Sequence, residues 1–289
     1  MKKNNTIVPS ISLLLAGFGY ALYGPLSRIV GAGFGPVGQT FTRAVFRLAI
    51  MAAIFILLRV KLKKISRHDL IWMFMISAVA AATTLFYIQA IINLPFGLTM
   101  FLFYALGTIS SYATGYFLFG EKLNRGKAVA LLMVVAGLLL MFVESIHLVG
   151  SLFLAFACAS GFFYGLYSPF SKKVSHKYPL TQSIGVTVAF EIVIYSVAWL
   201  VFRDRIPVTA ARPWVANFVY AGDVIVITYL VFYGFKHLEA QIGSLLLLSE
   251  VVFILILGLV FYHEVPTLLQ MVGGLAILSG MLAPQFIKD

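Results

Sequence analysis

Cysteine is nearly missing from this chain: Cys158 stands alone among 289 residues. A single thiol excludes an intrachain disulfide and any metal centre built on cysteines. Charge is scarce too, at 11% of residues, and acidic charge is scarcest, with 10 Asp and Glu against 21 Lys and Arg. No glycine-rich phosphate loop follows a strand pattern and no ATP-binding motif is present, so any energy input is expected from an ion or substrate gradient. His68, His147, His176 and His237 fall in loops or at the ends of apolar stretches, without ligand spacing. No metal or other cofactor is implied. A membrane enzyme would need clustered His, Asp or Ser groups at one face, and no such cluster is evident. An enzyme is therefore not expected.

What the chain does have is apolar surface: 61% hydrophobic residues and a mean hydropathy of +0.99. A bilayer, not a soluble core, uses that much. Ten stretches of roughly 18–25 residues can be drawn, each enough to cross a hydrocarbon core of about 30 Å. They lie near 8–29, 36–58, 69–92, 95–119, 126–143, 149–171, 180–202, 213–235, 241–262 and 267–286. The leading MKKNNTIVPS enters the first without an obvious small-residue cleavage site, and reads as a retained helix rather than a signal peptide.

The net charge of +11 raises the question of nucleic acid, and its placement answers it. With the N-terminus inside, cytoplasmic segments collect Lys2, Lys3, Arg59, Lys61, Lys63, Lys64, Arg67, Lys122, Arg125, Lys127, Lys172, Lys173, Lys177, Lys236 and Lys288. The other side holds Arg28, Arg203, Arg205 and Arg212. That asymmetry is the signature of loops held inside, and predicts a multi-pass cell-membrane protein with both termini cytoplasmic. The partner it implies is the lipid bilayer, not a nucleic acid.

The chain is also written twice. GFGYALYGPLSRIV at 17–30 returns as GFFYGLYSPFSKKV at 161–174, an offset of 144 residues, half the length. Pro36 and Gln39 return as Pro179 and Gln182. Residues 103–142, FYALGTISSYATGYFLFGEKLNRGKAVALLMVVAGLLLMF, lie against 248–282, LSEVVFILILGLVFYHEVPTLLQMVGGLAILSGML. Each has an apolar helix, an acidic turn (Gly120-Glu121 or His263-Glu264) and a Gly-containing closing helix, and the Glu at the start of that next helix reads as a cap favoured by its dipole. Five spans per half is an odd number, so the halves must insert upside down relative to each other. The expected fold is an all-α integral membrane protein of ten transmembrane helices, built as two inverted five-helix repeats, 1–144 and 145–289. Inverted repeats around a midplane site are a transporter architecture.

This pattern resembles the drug/metabolite transporter superfamily, in particular its ten-span EamA-like members. In that family each half typically ends in an apolar helix, a short acidic turn and a Gly-rich helix, and residues 248–282 match this. The stretch PVGQTFTRAVFRL, with Arg43 soon after Pro36, resembles the family's second span. The proline often found early in the fourth span of each half is absent near Ala105 and Val251. The resemblance implies a carrier, with export favoured, and does not name its substrate.

Candidate transport residues follow from polarity inside the spans. Gly17, Ala21 and Pro25 recur every four residues, as do Ala157, Gly161, Gly165 and Pro169. Small residues at this spacing let helices approach closely. Pro25 and Pro169 should kink their helices, either as hinges or as plain shaping. Tyr20, Tyr23 and Ser27 share another face, repeated by Tyr164, Tyr167 and Ser171. The stripe suits the wall of a wet cavity, or an interfacial belt, or interhelix hydrogen bonding.

Arg43 and Arg47 lie in the second span, Glu191, Asp223 and Glu250 in the seventh, eighth and ninth. Counted at about 1.5 Å rise per residue, Arg47 and the three acids fall near mid-membrane. A charge there costs roughly 2.5–3.5 kcal/mol on insertion scales, so each should face the interior, a partner or water. Arg47 and Glu191, equally deep in equivalent helices, could pair across the axis, holding the halves together. Asp223 and Glu250 have no basic residue nearby in sequence and are the better proton or cation sites. The expectation is a secondary transporter of a small polar or amphipathic metabolite, such as an amino acid. Substrate would contact Tyr20, Tyr23, Arg43, Arg47, Tyr164, Tyr167, Glu191, Asp223 and Glu250. The alternatives are a proton-coupled organic-cation transporter, a channel or a membrane enzyme.

Overall fold

The computed structural model describes residues 6–146, 152–207 and 211–287. Lys2, Lys3, His147 and Lys288, used in the charge and histidine readings, lie outside the described residues. Every regular element among the described residues is helical. In chain order these are α1 (Ile7–Ala21), α2 (Tyr23–Gly31), α3 (Pro36–Leu57), α4 (Arg67–Asn93), α5 (Phe96–Phe119), α6 (Arg125–Phe142), α7 (Leu152–Phe170), α8 (Lys172–Ser175), α9 (Leu180–Phe202), α10 (Ala211–His237), α11 (Ala240–Leu247), α12 (Ser249–Tyr262) and α13 (Leu268–Phe286). A short 3-10 turn, Val143–Ser145, follows α6. Helices satisfy their own backbone, which is what hydrocarbon demands. The outer surface is lined by exposed Leu, Ile, Val and Phe, which water would not tolerate and lipid would cover.

Three spans are helix pairs: α1–α2, α7–α8 and α11–α12. Counted that way, nine helices among the described residues are long and apolar enough to cross a membrane. The stretch expected at 267–286 is α13, whose apolar run, Leu268–Pro284, is shorter. Its entry is well made: Thr267 and Gln270 form a reciprocal capping box. Ser66 and Asn124 cap α4 and α6 in the simpler one-bond way.

The packing interleaves the halves. The first span of each half lies against the third and fourth spans of the other: α1 on α10, α11 and α12, and α7 on α4 and α5. Equivalent helices meet directly and run antiparallel. Phe41 stacks on Trp199 at one end of the α3–α9 contact, and Phe55 covers Gly185 at the other. In α6–α13, a Cβ at Gly137 would meet the Gly273 carbonyl at 2.7 Å, and one at Gly280 would meet the Ala130 carbonyl at 3.1 Å. Gly280 therefore serves packing within the chain.

The small-residue stripes behave as expected. A Cβ at Gly161 would lie 2.8 Å from the Leu102 carbonyl, and Gly17 faces Ser249 and the backbone around it.

Three local features differ from the sequence reading. The break near Pro25 falls three residues earlier, at Leu22, and the break near Pro169 falls two residues later, at Ser171. Pro25 lacks the N–H that would hold the turn before it, where the first break falls, whereas Pro169 lies inside α7 and the second break follows it. The ninth span is interrupted at Leu248 with neither proline nor glycine at the break. There Leu248 N–H reaches back only to Leu245 O, at 3.1 Å. The break sits where Gly17 brings α1 against the chain. Finally, Glu121 does not cap α6, the helix that follows it. Its carboxylate accepts from Ala240 N at 2.6 Å and Gln241 N at 3.0 Å, the first amides of α11 in the other half.

Candidate functional site

The charged and aromatic groups picked out above meet in the middle of the bundle. Arg47 on α3 and Glu191 on α9 form an ion pair, and both are buried, at 7% and 3% exposure. They stand 144 residues apart, the repeat offset itself. That is the expected geometry where two antiparallel equivalent helices cross at their symmetry axis. Arg47 Nε is buried without a hydrogen-bond partner.

Arg43, one turn away, takes a different role. Its Nε donates to Asn217 Oδ1 at 3.3 Å and its Nη2 to Gln39 Oε1 at 3.2 Å. Its guanidinium carbon sits 3.6 Å from the centre of the Tyr220 ring. All three neighbours are neutral, so this cation has a cation–π partner and no counter-charge at contact distance. Asn217, fully buried, is held in turn by Thr42 Oγ1 at 2.7 Å.

Glu250 stands two residues past the Leu248 break. Tyr104 Oη donates to its Oε1 at 2.8 Å. These residues are 146 apart, again close to the repeat offset, on the equivalent spans α5 and α11–α12. Asp223 on α10 has one buried oxygen, Oδ2, without a partner, and Ser249 Oγ beside Glu250 is orphaned likewise. Neither acid has an ion pair among the described residues.

The tyrosines close the ring. Tyr20 lies within electrostatic reach of Tyr23, Tyr164, Tyr167 and Glu250, and Tyr23 of Tyr220, Asp223, Arg43 and Arg47. Tyr23 packs edge-on against Tyr220, with ring centres 4.7 Å apart, and Tyr20 against Tyr23 at 5.2 Å. Tyr167 reaches the Thr228 hydroxyl. Tyr20, Tyr23, Arg43, Tyr164, Tyr167 and Asp223 all keep part of their surface open although they stand mid-span among other helices. All nine candidates thus belong to one neighbourhood. Pro25 and Pro169 lie beyond it, half-buried and buried respectively.

Sequence reasoning missed Tyr87, Tyr104, Tyr195, Asn217 and Tyr220 in this neighbourhood. Tyr195 belongs to it through Thr84 and through its position beside Arg47. A signal for Tyr104 is available in the sequence, since it lies near the repeat-equivalent position of Glu250.

A void of about 10 Å³, room for about one water, lies between Tyr164, Ser168, Ser111 and Ser244. A larger cleft of about 540 Å³ opens elsewhere, between Phe55, Leu62, Lys63, Gln182 and Val186. No group of three or more His, Cys, Asp or Glu placed to hold a metal occurs among the described residues.

A polytopic helical protein made of two like halves, with acids and tyrosines gathered where the halves meet, has the form of a membrane transporter. The family model of EamA-like transporters matches residues 9–143 and again 151–283. The chain belongs to the EamA-like transporter family. A solved crystal structure of a protein shares its fold, with a TM-score of 0.81 at 18% identity, over 97% of this chain and 99% of that one. No curated protein matches it by sequence.

Proposed function

We propose that this protein is a secondary active transporter that moves a small polar or amphipathic metabolite across the cell membrane by alternating access. In this reading the chain crosses ten times, with α13 as the tenth span. The halves are inverted across the membrane plane, both termini are cytoplasmic, and transport runs outward. The antiparallel contacts of α3 with α9 and of α6 with α13 support the inversion.

The observation that carries the reading is the central ring. Tyrosines from equivalent positions of both halves converge on two carboxylates, Asp223 and Glu250, that have no basic partner among the described residues. Paired groups can hold a fold together; unpaired acids at mid-membrane depth call for a ligand, a proton or water. Arg43, with only neutral partners, supplies a positive counterpart in the same neighbourhood. A site offering both signs beside aromatic faces suits a zwitterion such as an amino acid.

One observation favours a second substrate class. Glu191 already compensates Arg47, which leaves the ring with two free acids and one cation committed to Tyr220. That balance suits an organic cation exchanged against protons. Thermal-shift screening of the purified protein against amino acids, quaternary amines, nucleosides and sugars separates the classes. A hit must then support counterflow in proteoliposomes. Flux far above carrier rates without counterflow would make it a channel and defeat the reading.

A further inference from the structure

The two ends of the bundle are built from the same parts and are not in the same condition. Gly120 and His263 end the fourth span of each half, and both take positive φ, +65° and +56°. After each, the acidic residue's N–H closes the same turn, Glu121 N to Gly115 O at 2.9 Å and Glu264 N to Gly258 O at 3.2 Å. Lys172 and Arg28, equivalent at the 144-residue offset, each sit over the aromatic residue before that turn. Lys172 Nζ is 4.8 Å from the Phe119 ring centre, and the Arg28 guanidinium is 4.9 Å from that of Tyr262.

Beyond this point the symmetry stops. At the Lys172 end, Glu121 is buried. It binds Lys172 Nζ at 2.7 Å and the first two amides of α11. Lys127 and Glu239 add a second pair there, at 2.5 Å. At the Arg28 end, Glu264 is exposed and makes no ion pair among the described residues. Among the described residues, no side chain accepts from the first amides of α5, the equivalents of the α11 amides that Glu121 binds.

The neighbouring backbone shows the same difference. Ser171 and Ser175 are fully buried, while their equivalents Ser27 and Gly31 are half-buried and exposed. A Cβ at Gly24 or Gly31 would meet nothing within 4 Å. Around these equivalent positions the Lys172 end is bonded and buried and the Arg28 end is not, although Asp204 still accepts from Val37 N and Gly38 N on the Arg28 side.

We propose that Glu121 and Glu264 are reciprocal clasps of one gate. In the opposite state Glu264 would bind the N-terminus of α5 and pair with Arg28, while Glu121 would release α11 and Lys172. The inference rests on the alternating-access reading and adds which groups hold each state. The physical reason is that two conformations related by exchanging the roles of equivalent halves must use equivalent contacts. A carboxylate on a helix N-terminus beside a cation is such a contact, favourable on either side.

The test uses thiol reactivity, so it needs no substrate. On a Cys158→Ala background, Gly31→Cys and Ser175→Cys are single probes at equivalent positions. Adding Glu121→Gln removes one clasp. Ser175→Cys should then react about tenfold faster and Gly31→Cys correspondingly slower, the shift expected from losing charge-assisted bonds in one state only. Lys172→Gln should act in the same direction and replaces Glu121→Gln if that variant misfolds. Adding Glu264→Gln or Arg28→Gln to Glu121→Gln should reverse the shift, because the opposite state then loses its own clasp. A shift that Glu264→Gln leaves untouched overturns the gate while leaving alternating access standing. No shift in a folded Glu121→Gln and a folded Lys172→Gln overturns the gate, and counterflow in proteoliposomes decides alternating access separately.

Discussion

Removing one member of the Arg47–Glu191 pair is predicted to damage the fold more than removing both. Among the described residues the pair is the one salt bridge either side chain makes, and those side chains are 8% and 4% exposed. Arg47→Ala therefore leaves a carboxylate buried without its cation, and Glu191→Ala leaves a guanidinium in the same position. Breaking a buried pair from one side costs about 3–5 kcal/mol. The double variant strands no charge and loses only packing and one bond. It should recover at least about 2 kcal/mol relative to the sum of the singles, within the range of coupling measured for contacting residues.

Arg43→Ala is the internal control. Its partners Asn217, Gln39 and Tyr220 are neutral, so no counter-charge is stranded, and its cost should stay near about 1–2 kcal/mol. The assay is unfolding of the four variants in one detergent, with expression level as a second readout. Additive losses in the cycle would refute the argument, and so would an Arg43→Ala loss as large as that of Arg47→Ala.

Three further outcomes are expected. Asp223→Asn and Glu250→Gln should fold nearly as wild type, since the Tyr104 hydroxyl can still donate to the amide oxygen that replaces Glu250 Oε1; at least one should abolish transport or its pH dependence, and wild-type pH profiles in both would remove the carboxylates from the mechanism. Ala substitutions at Tyr20, Tyr23, Tyr164 and Tyr167 should impair transport more than stability, with Tyr→Phe milder except where the hydroxyl touches substrate; unchanged kinetics in all four Ala variants would take the stripe out of the pathway. Single cysteines at Lys63 and Lys122, in a Cys158-free chain, should resist an impermeant reagent applied outside intact cells, and labelling at position 63 would reverse the assigned orientation.

The spans are legible because hydrocarbon imposes a length and a composition that a single sequence displays directly. The Arg47–Glu191 pair is legible for a different reason. Depth along a helix can be counted, and a duplicated chain says which helices are equivalent. Tyr104 with Glu250 obeys the same rule and escapes notice because tyrosine is common here and carries no charge to draw attention. The Asn217 bonds to Arg43 and Thr42 join helices unrelated by the repeat, and no spacing encodes them. Glu121 reads as a cap, correctly in kind, on the wrong helix. Local sequence proximity favours α6, but Asn124 already caps it, and the fold carries the carboxylate to α11. The interruption at Leu248 has no local residue to announce it, since it depends on what α1 presses against.

The Arg47–Glu191 contact also governs which half can recognise which. Residues at a crossing axis face their own counterparts. Two copies of the first half, associating as the two halves do here, would set guanidinium against guanidinium at the Arg47 position. Two copies of the second would set carboxylate against carboxylate at Glu191. Both arrangements bury like charges, while the observed one neutralises them. The axis thus works as a lock that accepts only the unlike partner, so the two halves share a sequence pattern yet are not interchangeable.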